Sequence, residues 1–164
     1  MPRGGPPGSG VSGTRRKTVD IAPKCLIIET AGKQGGMKFL IVEDSRTTRN
    51  LIKNYVSEMD ISHAISFVEA ENGEIALDLL ELHEIDFVFL DWNLSSKMTG
   101  LEVLKAIRKK EKFKKLPVVM VTSESEKGNV IESLKCGAND FTVKPIDKKA
   151  FSEKVLKIAM GIIH

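Results

Sequence analysis

From Met37 onward a short apolar run is followed by a stretch with helical apolar spacing, and this pair recurs five times; no other feature constrains the fold as strongly. Phe39 to Val42 precedes Leu51, Ile52, Tyr55, Val56 and Met59, at i, i+1, i+4, i+5 and i+8. Ser66 to Ala70 precedes Ile75, Ala76, Leu79 and Leu80, and Phe87 to Leu90 precedes Leu101, Leu104 and Ile107. Pro117 to Val121 precedes Val130, Ile131 and Leu134, and Asp140 to Val143 precedes Phe151, Val155, Ile158, Ala159 and Ile162. Runs this short and apolar suit strands buried on both faces. Such strands are parallel, and parallel neighbours need crossover helices. The pattern therefore predicts a doubly wound α/β fold, (βα)5, with helices on both faces of a five-stranded parallel sheet. Gly137, directly after the fourth helical stretch, is placed to cap it.

A chain of 164 residues, 41% apolar, fits one buried core, expected over residues 37–164. Residues 1–36 are rich in Gly, Pro and Ser, lack an apolar period and close on Gly35 and Gly36, so they are expected to be a disordered extension, vector-derived or translated from upstream, with a regulatory or targeting arm as the alternative. This extension carries six bases against two acids. Removing these from totals of 25 and 22 leaves 19 bases and 20 acids, so the formal +3 charge belongs to the extension and does not argue for nucleic-acid binding by the domain. Cys25 and Cys136 follow no ligand spacing, and neither a secretory segment nor a membrane span is evident, which points to a reducing cytoplasm.

Four apolar runs end in polar residues: Glu43 and Asp44, Asp91, Thr122, and Lys144. One aspartate after a strand is usually a turn or capping residue. Three acids, a hydroxyl and a lysine at four strand ends are better explained by a site, because ligands of open parallel sheets bind outside the carboxyl ends of the strands. Three carboxylates in one crevice stay ionised only with a cation among them or a lysine nearby. Magnesium fits this oxygen donor set, whereas zinc would want Cys or His. His63, His83 and His164 lie away from the strand ends and are expected at the surface.

The acid pair Glu43-Asp44, the run Asp91-Trp92-Asn93, the run Thr122-Ser123-Glu124, and Phe141 three residues before Lys144-Pro145 together resemble the receiver domains of bacterial two-component response regulators, most closely single-domain chemotaxis regulators of the CheY type. The resemblance spans residues 37 to about 162. The strand order 2-1-3-4-5 is taken from the flavodoxin-like class, of which CheY is an established example; the spacing gives only the alternation. The resemblance implies that Asp91 is the phosphoacceptor for a sensor histidine kinase. Mg2+ would be held by the side chains of Asp44 and Asp91, the main-chain carbonyl of Asn93 and, through water, Glu43. Lys144 and Thr122 would stabilise the phosphoryl group, Thr122 and Phe141 would form the switch, and Lys144-Pro145 would be cis. Asn93 and Glu124 would tune dephosphorylation. The chemistry is compatible: phosphoryl transfer needs mainly positioning and charge stabilisation, and an ionised carboxylate attacks without a general base.

Three departures from the family stand out. The segment after Asn93, LSSKMTG, is one residue longer than is common and lacks the usual proline. The acid pair is Glu-Asp, and the longer side chain favours water-mediated metal contact. Phe141 has no hydroxyl, so its inward and outward positions are expected to differ in energy by packing alone. A haloacid dehalogenase-type phosphatase is the remote alternative, disfavoured because it needs a second acid where Asn93 stands. A flavin carrier would need a Ser/Thr/Gly-rich phosphate loop where Glu43 and Asp44 lie. With the sequence ending at His164 after the fifth helix, the expected output is contact of a monomer with another protein through the face of the fourth helix, fifth strand and fifth helix. Flagellar motor control is preferred, with a receiver excised from a larger regulator or a stand-alone phosphorelay shuttle as the alternative.

Overall fold

The computed structural model describes residues 35–123 and 127–163, the side chains of Lys127, Asn129 and Ile163 excepted. Expectations for residues 1–34, Glu124 and His164 lie outside the described residues. The five strands are β1 (Met37–Val42), β2 (Ile65–Ala70), β3 (Phe87–Asp91), β4 (Val118–Ser123) and β5 (Asp140–Lys144). They alternate with α1 (Arg46–Ser57), α2 (Gly73–Leu82), α3 (Gly100–Lys109), α4 (Lys127–Lys135) and α5 (Lys148–Ile163), with one 3-10 turn among the described residues at Glu111–Phe113. All pairings are parallel and the strand order is β2-β1-β3-β4-β5. The expected (βα)5 fold is the one observed.

Alternation along the strands divides the core into two layers. Leu40, Val42, Val88, Leu90, Val118 and Met120 face one side, where Ala76, Leu79 and Leu80 of α2 and Leu101, Leu104 and Ile107 of α3 cover them. Phe39, Ile41, Phe87, Phe89, Val119 and Val121 face the other, under Ile52 and Val56 of α1 and Phe151, Val155 and Ala159 of α5. The rings of Phe39, Phe87, Phe89 and Phe151 lie 5.0 to 5.9 Å apart in successive pairs.

Local sequence explains the helix boundaries. Ser45 caps α1 by accepting from Thr48 N, Asn72 caps α2, and Thr99 with Glu102 forms a reciprocal capping box on α3. Gly137 has φ +99°. Its N–H donates to Leu134 O while that of Ala138 donates to Ser133 O, the paired bonds of a Schellman ending.

Some apolar positions lie where a core-facing stripe would not put them. Ile131 and Leu134 of α4, Ile75 of α2 and Ile162 of α5 are exposed. An apolar period says which residues share a face, not what covers it. His63, expected at the surface, is half-buried, with its Nδ1 shielded and its ring against Gly35.

Candidate functional site

The chain turns back between β1 and β3, which are neighbours in the sheet although β2 intervenes in sequence. Their carboxyl ends open a crevice at the topological switch point. β1 delivers Glu43 and Asp44, and β3 ends on Asp91. One carboxylate oxygen from each of the three lies within 4.8 Å of the others. Glu43 and Asp91 are buried, and Asp44 is more open. Lys144, the last residue of β5, reaches across the sheet end, its Nζ 2.8 Å from Glu43 Oε2 and 3.1 Å from Asp91 Oδ2. Thr122, buried at the end of β4, lies one residue beyond Val121, the partner of Asp91 in the β3–β4 register. The Lys144–Pro145 peptide is cis.

Burial pushes the Glu43 and Asp91 carboxyls above the ordinary carboxylate range; Lys144 offsets this only in part. Burial also works against the Lys144 ammonium, but Glu43 and Asp91 more than compensate and its pKa rises. Asp44 goes the other way, because the Ser95 hydroxyl donates to its Oδ2 and holds its carboxyl low. The site thus gathers three acids around one base, all-oxygen ligands with an excess of negative charge. That fits a hard divalent cation such as Mg2+, held by carboxylates with room for water or phosphate oxygens. Among the described residues this is the one acidic cluster with metal-binding spacing.

The loop after β3 is anchored at both ends. Asn93 N donates to Asp91 Oδ1 at 3.2 Å, and Gly100 N to Trp92 O at 2.9 Å. A Cβ at Gly100 would stand 2.0 Å from Asp91 O, so only glycine lets α3 start this close to the strand end.

The family model for the response regulator receiver domain matches residues 39–156. The chain belongs to this receiver family. Chemotaxis protein CheY of Pseudomonas aeruginosa is 39% identical over 122 residues, covering 74% of this chain and 95% of that protein. The crystal structure of the receiver domain of NtrX from Brucella abortus superposes with a TM-score of 0.66 at 27% identity, covering 75% of this chain and 98% of that one. The Mn(2+)-bound form of response regulator Rcp1 does so at 0.61 and 26%, covering 77% and 91%. As a receiver, this chain is the phosphoacceptor module of a phosphorelay.

Three residues at the receiver's site are absent from the sequence reading. Ser95 reaches Asp44 from the loop after β3. Lys154 of α5 stands 4.5 Å from the centroid of the Phe141 ring and donates to Phe141 O and Asp140 Oδ1. A cation over the ring corrects the expectation that packing alone sets the position of Phe141. Arg49 is buried on the inward stripe of α1 beneath the acid pair. Its spacing of i, i+3 and i+7 with Ile52 and Val56 was the available signal.

Proposed function

We propose that this chain is a phosphorylation switch in which Asp91 takes a phosphoryl group from the phosphohistidine of a sensor kinase. The observation that carries the reading is the meeting of Glu43, Asp44 and Asp91 within 4.8 Å, with Lys144 bridging two of them. An Asp91 carboxylate oxygen attacks phosphorus, an O–P bond forms, the P–N bond to the donor imidazole breaks, and the imidazole keeps that electron pair. The Lys144 ammonium lies where it can neutralise phosphoryl oxygens, and no base is required because the attacking carboxylate carries no proton. Mg2+, held by the Asp44 and Asp91 side chains, the Asn93 carbonyl and Glu43 through water, would offset the charge of the acids and of the phosphoryl group. The Mn(2+)-bound form of Rcp1 supports a divalent ion at such a site. Activity is confined to this self-catalysed transfer and to hydrolysis of the acyl phosphate, with Asn93 and Glu124 tuning the latter.

Once attached, the phosphoryl group accepts a hydrogen bond from Thr122, and Phe141 moves into the space the threonine vacates. Phosphorylation biases the pair only through its different interaction with the two states. The change is read on the face of α4, β5 and α5, where Ile131 and Leu134 are exposed. The similarity to a chemotaxis CheY favours flagellar motor control by a cytoplasmic monomer, while the likeness to the NtrX receiver domain favours a receiver drawn from a larger regulator. No helix among the described residues is long and apolar enough to cross a membrane.

Acetyl phosphate with magnesium should add one phosphoryl group by mass, and Asp91→Asn should add none; equal labelling of the two would refute the assignment. Thr122→Ala should keep phosphate uptake and lose binding of an activated-state partner. Capture with a phosphoryl mimic then separates a motor protein from a relay partner.

A further inference from the structure

We infer that Arg49 is a positioning residue for the acid pair, fixing the main chain from which Glu43 and Asp44 present their carboxylates to a divalent cation. The inference rests on the metal reading of the site given above. Arg49 is 6% exposed, and a charge so buried is tolerated only when paired and hydrogen-bonded. Its Nη1 donates to the main-chain carbonyl of Glu43 at 2.7 Å and of Asp44 at 3.2 Å. Nε donates to Glu69 Oε2 at 2.9 Å, and Nη2 to Glu71 Oε1 at 3.0 Å.

The two halves of this fork do different work. Glu69 and Glu71, with Lys53 also 2.6 Å from Glu69, balance the guanidinium charge on the outer side. The inner side touches no carboxylate of the crevice; it grips two consecutive peptide carbonyls, and so contributes orientation rather than charge. The planar guanidinium grips both carbonyls while holding Glu69 and Glu71, a geometry that a lysine ammonium cannot reproduce. Rotation of either peptide would break a charge-assisted bond. The Glu43 side chain has further ties to Ser45 N and Lys144. Asp44 is held by Arg49 through its main chain and by Ser95 through its side chain.

Loss of a group that orients a metal ligand commonly costs about 10- to 100-fold in metal affinity. The test titrates MgCl2 against the fluorescence of Trp92, which adjoins Asp91, in the wild type, Arg49→Lys, Arg49→Gln, Glu69→Gln and Asp44→Ala, with urea unfolding of each in EDTA as a separate readout. Arg49→Lys and Arg49→Gln are expected to lose about tenfold or more in magnesium affinity. Glu69→Gln, which leaves both carbonyl contacts in place, is expected to lose stability but to bind magnesium within about twofold of the wild type. Wild-type affinity in Arg49→Lys would overturn the inference, and this charge-retaining variant decides the matter if Arg49→Gln does not fold. A parallel loss in Glu69→Gln would overturn it too, because charge balance rather than the carbonyl grip would then be at work. Failure of the wild type to bind magnesium, or unchanged binding by Asp44→Ala, would instead overturn the metal reading, and the role of Arg49 with it.

Discussion

Replacing Asp91 by asparagine removes one of three carboxylates clustered within 4.8 Å and keeps the shape of the side chain. At an effective dielectric of about 20, its repulsion from Glu43 and from Asp44 amounts to about 3.5 kcal/mol each at the 4.8 Å limit, while its attraction to Lys144 at 3.1 Å amounts to about 5 kcal/mol. The charges thus favour the neutral side chain by about 2 kcal/mol. Roughly 1 kcal/mol is returned, because one amide oxygen cannot accept from both Asn93 N and Lys144. The metal-free variant should therefore be more stable than the wild type by about 1 kcal/mol, with relief of the buried charge acting in the same direction. The pH dependence has a defined sign. Burial raises the Asp91 pKa in the folded state, so its ionisation destabilises the fold; the penalty is full above the folded pKa and gone below the unfolded one. The gap between the two proteins should close as pH falls through that interval. Magnesium at about 100 times its dissociation constant would stabilise the wild type by about 2.7 kcal/mol and reverse the order. Urea unfolding at neutral pH reads both effects, since 1 kcal/mol moves the midpoint by about 0.5 M. A metal-free Asp91→Asn protein less stable than the wild type would refute the view that like charge and burial dominate this crevice.

Gly100→Ala should cost about 3 kcal/mol or more, because its Cβ would overlap the Asp91 carbonyl and the backbone would have to yield; an unfolding midpoint equal to wild type would contradict that contact. Lys154→Met should remove about 0.5 to 1 kcal/mol from the present ring position of Phe141 and raise the other position about two- to fivefold. Aromatic NMR of the unphosphorylated protein would register the change, and unchanged spectra would mean that the cation does not hold the ring. Thr99→Ala should cost about 1 kcal/mol through loss of the α3 capping box while leaving Trp92-detected magnesium affinity unchanged.

The alternation of short apolar runs with helical spacing was enough to read the fold, because strands buried on both faces leave few architectures open. The strand order was not in the spacing and came with the family resemblance. The gathering of Glu43, Asp44, Asp91 and Lys144 was legible because strand ends in a parallel sheet converge, so position along the chain translates into position in space. Arg49 was legible only as an inward-facing residue of α1, not by what it holds. Its partners Glu69 and Glu71 lie 20 and 22 residues away, and a lone arginine on an apolar stripe gives no hint of them. Lys154 meets Phe141 through the packing of α5 on β5, which no local pattern encodes. Ile131 and Leu134 keep the helical period of a buried face and yet stay exposed on α4, for periodicity records amphipathicity and not its partner.

The close approach of Gly100 to Asp91 makes the segment between them a noose drawn tight at its base. Because closure entropy grows only logarithmically, one more residue in such an eight-residue excursion costs about 0.1 kcal/mol, and the anchored base keeps that change from Asp91. Length and composition can drift here while Asp91 stays in register with β4. What drifts with them is whichever side chain the excursion lowers over its rim, here Ser95 against Asp44. A substitution in this strip of chain thus changes which side chain borders the acid cluster while leaving the sheet untouched.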